Sequence, residues 1–582
     1  MNIADKSKRI ADKPANIADK SKRIADKPAN IADKSKRIAD KPVNIADKSK
    51  RIADKPANIA DKSKRIADEP VNIADKSKRI ADKPVNIADK SKRIADKPVN
   101  IADKSKRIAD KRSEIADKNH SHERSKAMTY KGWLLPPALR DFHEGRIWLK
   151  EHAPFSKEDI EKSINLQYFH IIEGIQKEPH LKCNRCHNEH PQQFTTFDCS
   201  KCQQQCVYCR HCLNMGRVSS CTQLMIWTGP HAIRTRKHAL KWAGQFTVLQ
   251  EQAAKEMLES VKVQRSHLIH AVCGAGKTEL LFPSVHYALE QGLRVCIATP
   301  RTDVVLELYP RFQSVFPQTM IHALYGGSPK QVGYAQLVLA TTHQLYRFER
   351  AFDVMIVDEA DAFPYTFDET LQSAVQKAKT ANAPIMLVTA TPSHKLLTQY
   401  QNESYSFIPK RYHNRPLPVP RFHSLWNYEK SLKRGKIPRK LKQWTEERLA
   451  RKEPFLLFFP KVELMKIATP LFQLLDDSIM AVHAEDPGRK EKVLKLRNEE
   501  VPGLLTTTIL ERGITIKNVQ VAVIGAESTI FTSSALIQTA GRVGRNADFA
   551  DGDVVFFHHG ITIEMDDART KILYYNKKGF SQ

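Results

Sequence analysis

The chain has 582 residues and a formal net charge of +28, which suits a polyanionic partner or an anionic membrane surface and does not choose between them. No stretch approaches the roughly 18 consecutive apolar residues of a membrane span, and the N-terminus is polar from Asn2 onward, unlike a secretory signal. We therefore expect a cytoplasmic protein without a transmembrane segment, one that reaches the inner face of the cell membrane only through a partner.

Residues 1–127 form a low-complexity tail in which NIADKSKRIADKPA recurs every 14 residues from Asn2. Each half of the repeat offers one Ile with an adjacent Ala, whereas a coiled-coil seam needs two apolar positions three or four residues apart. Each repeat also contains a proline, which costs about 3 kcal/mol inside a helix. We interpret the tail as disordered or transiently helical. A dispensable expansion is favoured over the alternative, a non-specific nucleic-acid tether.

Cysteines are concentrated between residues 183 and 221, where eight of the ten occur. Several are separated by only two intervening residues. Such a Cys-x-x-Cys turn presents two thiolates to one tetrahedral ion, so that two turns complete a Zn–S₄ site. In a cytosolic chain metal is favoured over disulfides, and a redox role is a minor alternative. We predict at least one Zn²⁺, with the ligand pairing left open and with His187, His190 and His211 as further candidate ligands.

The stretch AVCGAGKTELLFP, residues 271–283, has the pattern of a phosphate-binding loop. The short apolar SHLIHAV before it predicts a buried strand. The following KTELLFPSVHYALEQG has apolar residues at helical spacing, with Gly292 as the expected stop. The glycines therefore lie at a strand-to-helix turn, which favours the phosphate loop over an ordinary glycine turn.

Each residue of this loop has an expected role. Gly274 and Gly276, with Ala275 between them, let the backbone curl so that its N–H groups point inward, and the helix N-terminus adds partial positive charge. Lys277 is expected to reach the β and γ phosphates of a nucleotide, and the Thr278 hydroxyl to ligate Mg²⁺.

A second buried strand is predicted in FDVMIVDEADAFP, residues 352–364, and it ends in two carboxylates. In phosphate-loop NTPases a carboxylate at such a strand end holds Mg²⁺, and its neighbour positions the attacking water. We assign Asp358 to the metal and Glu359 to the water. The alternative, a solvated acidic turn, does not explain why an apolar strand delivers both.

A third element, SSALIQTAGRVGRNADFADGD, residues 533–553, carries Gln538, Arg542 and Arg545 around two glycines. Arginine suits bidentate phosphate contacts, and two arginines three residues apart share a helical face. Because they are far from the phosphate loop in sequence, we place them on a second lobe, from which they reach the nucleotide across a cleft.

The ordered set of motifs over residues 244–560 resembles a superfamily 2 helicase or translocase. In chain order the motifs are GQFTVLQEQ, AVCGAGKT, ATPRTDVVLEL (298–308), TTHQL (341–345), DEAD (358–361), TATP (389–392), TTTILERGITI (506–516) and QTAGRVGR (538–545). The resemblance implies that the nucleotide is ATP and that Gln250 contacts adenine. It also implies contacts to a nucleic-acid strand, for which the candidates are Thr299, Arg301, Thr342 and Thr507.

The spelling DEAD does not place the chain among the RNA helicases of that name. Those proteins typically open their last motif with His, where this chain has Gln538, and usually carry Ser-Ala-Thr where this chain has Thr389-Ala390-Thr391. The last residue of the tetrapeptide, Asp361, is a single-residue matter and decides nothing.

A narrower resemblance, from about Cys183 to the C-terminal region, is to the late competence protein ComFA family. It rests on AVCGAGKTELLFP, LRVCIATPRTDVVLEL, ALYGGS, VHAEDPGRKEKV, TTTILERGITIKNVQ and, upstream, YCRHCLNMGRVSSC. The family implies an ATP-driven motor on single-stranded DNA during natural transformation. It implies as partners other competence proteins, namely a ComFC-like protein and the membrane DNA channel.

This resemblance also implies the primary zinc ligands, which are Cys183, Cys186, Cys209 and Cys212. A second set remains as candidate ligands or spare thiols, namely Cys199, Cys202, Cys206 and Cys221.

We therefore predict an α/β fold with two RecA-like parallel-sheet lobes that hold ATP between them. An N-terminal Cys-rich zinc module and the disordered repeat tail complete the chain. The expected divisions are 1–127 for the tail, 128–180 for an N-terminal region, 181–225 for the zinc module, 226–435 for lobe 1 and 436–582 for lobe 2.

Two other functions compete with a DNA-uptake translocase. The enzyme alternative is a duplex-unwinding superfamily 2 DNA helicase of replication or repair. The non-enzyme alternative is a zinc-dependent adaptor that grips DNA without hydrolysis, against which the intact Lys277, Glu359 and Arg545 argue.

A shortened chain that begins at Met128 is expected to retain ATPase activity, because the tail has no means of packing a core. Its DNA binding should weaken at low salt and depend less steeply on salt, since fewer phosphates are contacted. Loss of folding or of ATPase activity on truncation would show that the repeats are structural.

Overall fold

The computed structural model describes residues 129–130, 133–331, 333–400, 404–511 and 515–580. The repeat tail lies outside these ranges, so its disorder stays a prediction from sequence. Within the described ranges, none of the helices combines the length and the apolar composition that a membrane crossing requires.

The N-terminal region contains a three-stranded antiparallel sheet in which the last strand lies between the other two. Its elements are β1 (Thr129–Tyr130), β2 (Trp133–Leu134), α1 (Pro137–His143), β3 (Ile147–Leu149), α2 (Lys157–Asn165), β4 (Phe169–Glu173) and, after the cysteines, β10 (Gln223–Trp227). Because β10 pairs with both β3 and β4, the cysteine-rich segment is an insertion into this sheet.

The inserted segment forms two small antiparallel sheets. Its strands are β5 (Ile175–Gln176), β6 (Lys182–Cys183), β7 (Phe194–Cys199), β8 (Gln204–Cys209) and β9 (Val218–Ser219). The division expected at 180/181 falls between the paired strands β5 and β6, and the one at 225/226 falls within β10. Local composition does not reveal the pairing of β10 with β3 and β4, because these strands are distant in sequence.

Lobe 1 is built on a seven-stranded parallel sheet of order β13-β14-β12-β15-β16-β11-β17. Its strands are β11 (His267–Ala271), β12 (Val295–Thr299), β13 (Ile321–Leu324), β14 (Leu337–Thr341), β15 (Val354–Asp358), β16 (Ile385–Thr389) and β17 (Tyr405–Ile408). Most positions are apolar and buried, which is typical of a parallel sheet covered on both faces.

The two faces of this sheet are covered by different partners. Its helices are α3 (Val248–Lys262), α4 (Lys277–Leu280), α5 (Phe282–Glu290), α6 (Thr302–Val315), α7 (Glu369–Ala378) and α8 (His394–Tyr400). Two successive residues of β15 face the two different sides. Ile356 shares a core with α3, α5 and α6. Val357 shares a core with α7, with Ile147 of β3 and with four buried cysteines of the insertion. The cysteine-rich insertion therefore forms part of the layer that covers this face of the sheet, together with α7.

Lobe 2 is a six-stranded parallel sheet. Its elements are β18 (Arg421–Ser424), α9 (Tyr428–Lys433), α10 (Arg439–Ala450), β19 (Phe455–Phe458), α11 (Val462–Gln473), β20 (Met480–Val482), α12 (Arg489–Arg497), β21 (Gly503–Thr506), β22 (Gln520–Ile524), α13 (Ser533–Ala540), β23 (Val554–His558) and α14 (Ile563–Phe580). The strand order is β18-β23-β22-β19-β21-β20. Since β18 is its edge strand, this sheet begins at Arg421, earlier than the division expected at 435/436.

The carboxyl ends of the strands carry the motifs singled out in the sequence. In lobe 1 the phosphate loop follows β11, while β12, β15 and β16 end at Thr299, Asp358 and Thr389. In lobe 2, β21 ends at Thr506. Because parallel strands bring their carboxyl ends to one edge of a sheet, these residues converge in space although the sequence separates them.

Candidate functional site

The phosphate loop connects β11 to α4 through two glycines in left-handed conformations, with φ of +82° at Gly274 and +76° at Gly276. Residues with a Cβ rarely adopt such values. A Cβ at Gly276 would also overlap the Gln250 amide. Lys277 begins α4 directly after this turn, so its backbone N–H lies at a helix N-terminus.

Lys277 faces the two carboxylates that end β15. Its Nζ lies 3.6 Å from Glu359 Oε1, and both side chains are largely buried. Burial alone would lower the pKa of Lys277, but the charge of Glu359, with that of Asp358, raises this pKa overall. Glu359 has φ +58°, a conformation that non-glycine residues seldom adopt and that often marks functional turns.

Burial, reinforced by the charge of Glu359, raises the pKa of the Asp358 carboxyl to about 7. Two adjacent carboxylates in a buried position repel each other, and a divalent cation would neutralise them. Together with the Thr278 hydroxyl they supply the oxygen ligands that Mg²⁺ prefers. The residues at this edge therefore fit a bound Mg²⁺.

A cavity of about 460 Å³ opens over this edge and is lined by both lobes. The predicted residues that line it are Gln250, Gly274, Gly276, Lys277, Thr278, Asp358, Glu359 and, from lobe 2, Arg545. Ala275 is buried within the loop. The structure thus brings together, in one cavity, residues that four separate sequence motifs contribute.

Gln250 connects the start of α3 to the phosphate loop. Its Oε1 accepts from the Thr247 backbone N–H at 2.8 Å, and its Nε2 donates to the Ala275 carbonyl at 2.9 Å. This reciprocal arrangement with Thr247 is a capping box. These two bonds use the Oε1 and one N–H of the amide and leave its second N–H over.

Aromatic residues of this cavity were not identified from the sequence. Trp242 and Phe246 lie 4.5 Å apart between ring centroids, and Tyr412 lines the cavity as well. Phe246 lies inside the GQFTVLQEQ motif, and the flat, apolar face of a purine suits such rings. The signal was therefore present in the sequence, whereas the place of Tyr412 depends on the chain path after β17.

The two arginines of the QTAGRVGR motif lie in different surroundings. Arg545 lines the cavity, and its Nε donates to the Gly541 carbonyl at 3.0 Å. Arg542 is buried, and its Nε donates to the Glu511 carbonyl at 3.0 Å. Burial, followed by the charge of Arg545, lowers the pKa of Arg542 to about 9. Helical spacing predicted a shared face, but the motif leaves α13 at Ala540, so the two side chains diverge.

The phosphate loop and the QTAGRVGR motif touch directly. Cys273 Sγ lies 3.1 Å from Gln538 Oε1, and a Cβ at Gly541 would overlap Cys273. Arg411, from the segment after β17, donates to the carbonyls of Val543 and Gly544 at 2.7 Å each. Neither Arg411 nor this contact was expected from sequence.

Asp361 forms a second contact between the lobes. Its carboxylate accepts from Thr389 Oγ1 at 2.6 Å, from Thr391 Oγ1, and from Ser534 Oγ of α13 at 3.1 Å. The last residue of DEAD thus connects the end of β16 to lobe 2. The tetrapeptide alone does not reveal this contact, because the partners of Asp361 are distant in sequence.

The four candidate strand contacts differ in how far their side chains are buried and in whether they have partners. The hydroxyls of Thr299 and Thr342 are buried and make no hydrogen bond within the described part of the chain. Arg301 Nη2 pairs with Glu511 Oε1 at 2.6 Å across the lobes. Thr507 is half-buried. The side chains of Thr299 and Thr342 are therefore enclosed in the fold in this arrangement.

The cysteines form two clusters with the predicted memberships. Within each, all four sulfurs lie within 4.8 Å of one another. Cys183 and Cys212 sulfurs are 3.7 Å apart, and those of Cys186 and Cys209 are 3.5 Å apart. Four sulfurs at about 2.3 Å from Zn²⁺ in a tetrahedron are about 3.8 Å apart. Both sets therefore fit Zn²⁺, the second set being Cys199, Cys202, Cys206 and Cys221.

The first cluster is joined to lobe 1 by polar contacts. Arg185 Nε donates to Cys212 Sγ at 3.3 Å, as expected beside a metal-bound thiolate. Lys377 of α7, which is buried, donates to the Arg185 carbonyl and to the Tyr346 carbonyl. The second cluster is more exposed, since Cys202 and Cys221 are only half-buried.

Three stretches of the chain match known families. Residues 132–226 match Competence protein ComFA N-terminal domain, residues 245–394 match Type III restriction enzyme, res subunit, and residues 438–547 match Helicase conserved C-terminal domain. The second and third matches fall on the two lobes.

Similar proteins are found along most of the chain. It is 45% identical over 442 residues to Competence protein ComFA of Bacillus subtilis (strain 168), covering 75% of this chain and 95% of that protein. It is 37% identical over 375 residues to Competence protein ComFA of Streptococcus pneumoniae (strain ATCC BAA-255 / R6), covering 64% and 86%. Among solved structures, DEAD-box helicase Mss116 bound to ssRNA and UDP-BeF has 17% identity and a TM-score of 0.44, covering 57% of this chain and 78% of that one.

The two parallel-sheet lobes and their family matches define an ATP-dependent enzyme of the superfamily 2 helicase class. The expected α/β architecture and the resemblance to that class are confirmed. Within the class, the chain belongs to the ComFA family of competence proteins, as the two relatives and the N-terminal match establish.

Replacing Glu359 by Gln keeps the side-chain shape and removes the charge that faces Lys277. We expect ATP binding to persist while hydrolysis falls roughly 100- to 10,000-fold, the range for loss of a positioned base. The measurement is steady-state ATPase activity beside nucleotide binding. Glu251→Gln, on the exposed side of α3, is the matched control and should hydrolyse normally. Hydrolysis by Glu359→Gln within a few-fold of the original chain would remove this residue from the role.

Replacing Cys183 and Cys186 by Ser should remove one Zn²⁺ per chain and lower the Tm by at least about 5 °C, because these residues belong to a core shared with lobe 1. The measurements are metal content and thermal unfolding. Cys199→Ser with Cys202→Ser is the matched control, expected to lose the other ion with a smaller effect on Tm. Unchanged metal content after the first pair of changes would show that these cysteines are not ligands.

Proposed function

We propose that this protein is an ATP-driven motor that moves along single-stranded DNA and drives DNA uptake during natural transformation. The observation that carries the proposal is the cavity shared by the lobes, in which Lys277 and Glu359 of one lobe meet Arg545 of the other. Hydrolysis there depends on lobe closure, and closure with reopening is the movement that steps a motor along a strand.

The proposed roles follow the geometry of the cavity. Gln250 contacts adenine, and Trp242 with Phe246 offers ring faces for the base. Lys277 binds phosphate oxygens, and Glu359 orients the water that attacks the terminal phosphorus. Mg²⁺, when held by Asp358 and Thr278, would neutralise charge on the phosphates.

The residues of the QTAGRVGR motif have separate proposed tasks. Arg545 stabilises the charge of the transferring phosphoryl group. Arg542, directed at the Glu511 carbonyl, supports the segment that pairs with Arg301. Gln538 holds the phosphate loop against lobe 2 through Cys273. Arg545 therefore acts on the charge of the phosphates, whereas Arg542 and Gln538 hold the surrounding segments in position.

Partners and placement are proposed from the family alone. We infer single-stranded DNA as the substrate strand, with a ComFC-like protein and the membrane DNA channel as protein partners. The protein would work in the cytoplasm, recruited to the inner face of the membrane by those partners. Two zinc ions would stabilise the cysteine-rich segment inserted into the N-terminal sheet.

The decisive experiment compares ATPase stimulation by single-stranded DNA, duplex DNA and RNA at equal nucleotide concentration. We expect strong stimulation by single-stranded DNA and weak stimulation by the other two. Displacement of streptavidin from a biotinylated single strand then tests directional movement, and strand displacement on a forked duplex tests unwinding. Unwinding of long duplexes at the rate of single-strand movement would favour the helicase of replication or repair. Equal ATPase activity with and without every nucleic acid would contradict the proposal.

A further inference from the structure

An exposed tryptophan stands at the far end of lobe 2, outside the nucleotide cavity. Trp426 follows the edge strand β18 and is 72% exposed. Its ring centroid lies 6.5 Å from that of His559, which directly follows β23, with 43° between the planes. The His559 side chain is itself more than half exposed. We call Trp426 with His559 the aromatic pair.

The backbone that presents Trp426 is fixed on both sides. The Leu425 backbone N–H donates to the His558 carbonyl at 2.6 Å. Tyr428 is buried, and its hydroxyl donates to Glu527 Oε1 at 3.2 Å. A Cβ at Gly525 would overlap that hydroxyl, so the packing there is tight. The exposure of Trp426 is therefore not a consequence of a poorly packed backbone.

His559 is held by the same frame. Its Nδ1 lies 2.6 Å from Glu527 Oε1, the oxygen that also accepts from Tyr428. The imidazole ring therefore has a fixed orientation beside the indole. The backbone on both sides of Trp426 and the ring of His559 are thus fixed. Exposed rings presented in this way are suited to binding another flat ring, because less conformational freedom is lost on binding.

A dense set of cations follows the aromatic pair in sequence. Between residues 430 and 440 the exposed basic residues are Lys430, Lys433, Arg434, Lys436, Arg439 and Lys440. We call these six residues the basic segment. The nearest acidic residue, Glu429, pairs with Lys433 at 3.9 Å and with Lys461 at 3.6 Å. Lys461 lies just after β19, which puts Glu429 at the carboxyl edge of the sheet.

The aromatic pair shares this edge with a candidate strand contact. Thr507 follows β21, and β18 is four strand positions away in the sheet order. That separation is about 19 Å at the usual spacing of strands. Lys461 lies between them, after β19. A strand that crosses the cleft near Thr507 and continues along the edge would therefore reach Trp426.

We propose that the aromatic pair stacks a base of single-stranded DNA and that the basic segment binds its phosphates, extending the strand path to the far end of lobe 2. This inference rests on the proposed function for the strand itself. Interleaved aromatic and basic side chains are the recurring means of binding single strands without sequence preference. The faces of bases in a duplex are covered by stacking, so the aromatic pair is expected to select single-stranded DNA.

The test measures binding of a long oligothymidylate to the full chain by fluorescence anisotropy. Trp426→Ala should raise the Kd roughly 5- to 150-fold, the range for loss of one stacked base, with basal ATPase activity unchanged. Trp426→Phe should recover most of the affinity. Tyr574→Ala, an exposed aromatic change on α14, is the matched control and should bind as the original chain does.

The basic segment is tested by the salt dependence of the same binding. Replacing Lys430, Arg434 and Lys436 by Ala should reduce the slope of log K against log salt by about 2, since each single-strand phosphate contact contributes about 0.7. An unchanged slope would overturn the assignment of these cations to phosphates.

Exposed aromatic and basic groups also suit binding to an anionic membrane surface. Binding to vesicles of phosphatidylglycerol distinguishes this ligand from single-stranded DNA. Loss of vesicle binding by Trp426→Ala, with unchanged DNA affinity, would overturn the inference in favour of lipid. Unchanged DNA affinity on its own would overturn it as well, while DNA-stimulated ATPase in that variant would leave the proposed function standing. Absence of DNA binding by the original chain would instead overturn the proposed function.

Discussion

The contact between the phosphate loop and helix α13 sets the geometry of the nucleotide site. Gly541 lies so close to Cys273 that a side chain at this position would overlap it. Arg411 fixes the following turn through the Val543 and Gly544 carbonyls. Arg545 comes directly after that turn and lines the cavity. Its position relative to Lys277 therefore depends on how closely the two lobes approach, and a larger residue at 541 would move the arginine away.

Asp361 connects the approach of the two lobes to the nucleotide cavity. It lies two residues after Glu359, and its carboxylate binds hydroxyls from both lobes. A change of charge beside Glu359 on hydrolysis would act on the turn that carries Asp361, because the two are part of one short segment. The hydroxyls of Thr389 and Ser534 offer weak, reversible contacts, which suit the opening and closing that we propose for the cleft.

Local patterns in the sequence were sufficient for the elements that carry chemistry, and insufficient for contacts between distant segments. The strand, turn and helix around Gly276 were predicted because glycines and apolar spacing are local signals. Asp361 was dismissed because its partners Thr389 and Ser534 are far away in sequence. Arg542 was grouped with Arg545 on helical spacing, but α13 ends before either residue. The edge strand β18 belongs to the sheet of lobe 2 although it precedes the division expected at 435/436, and a strand of four residues carries little periodicity that could reveal this.

The cysteine-rich insertion shows the same limit at the level of packing. Sequence spacing favours a self-contained module, yet Cys183 and Cys186 lie in one core with Val357 and Leu371 of lobe 1. Such a small segment cannot bury enough apolar area alone, and a Zn²⁺ bound by either cysteine cluster would supply further stability. The Thr370 hydroxyl, at the start of α7, contacts both His211 of the insertion and Tyr346 of the turn after β14. Because that turn carries the TTHQL motif, the cysteine-rich layer supports a segment proposed to contact the strand. The insertion is better regarded as part of the motor than as an attachment to it.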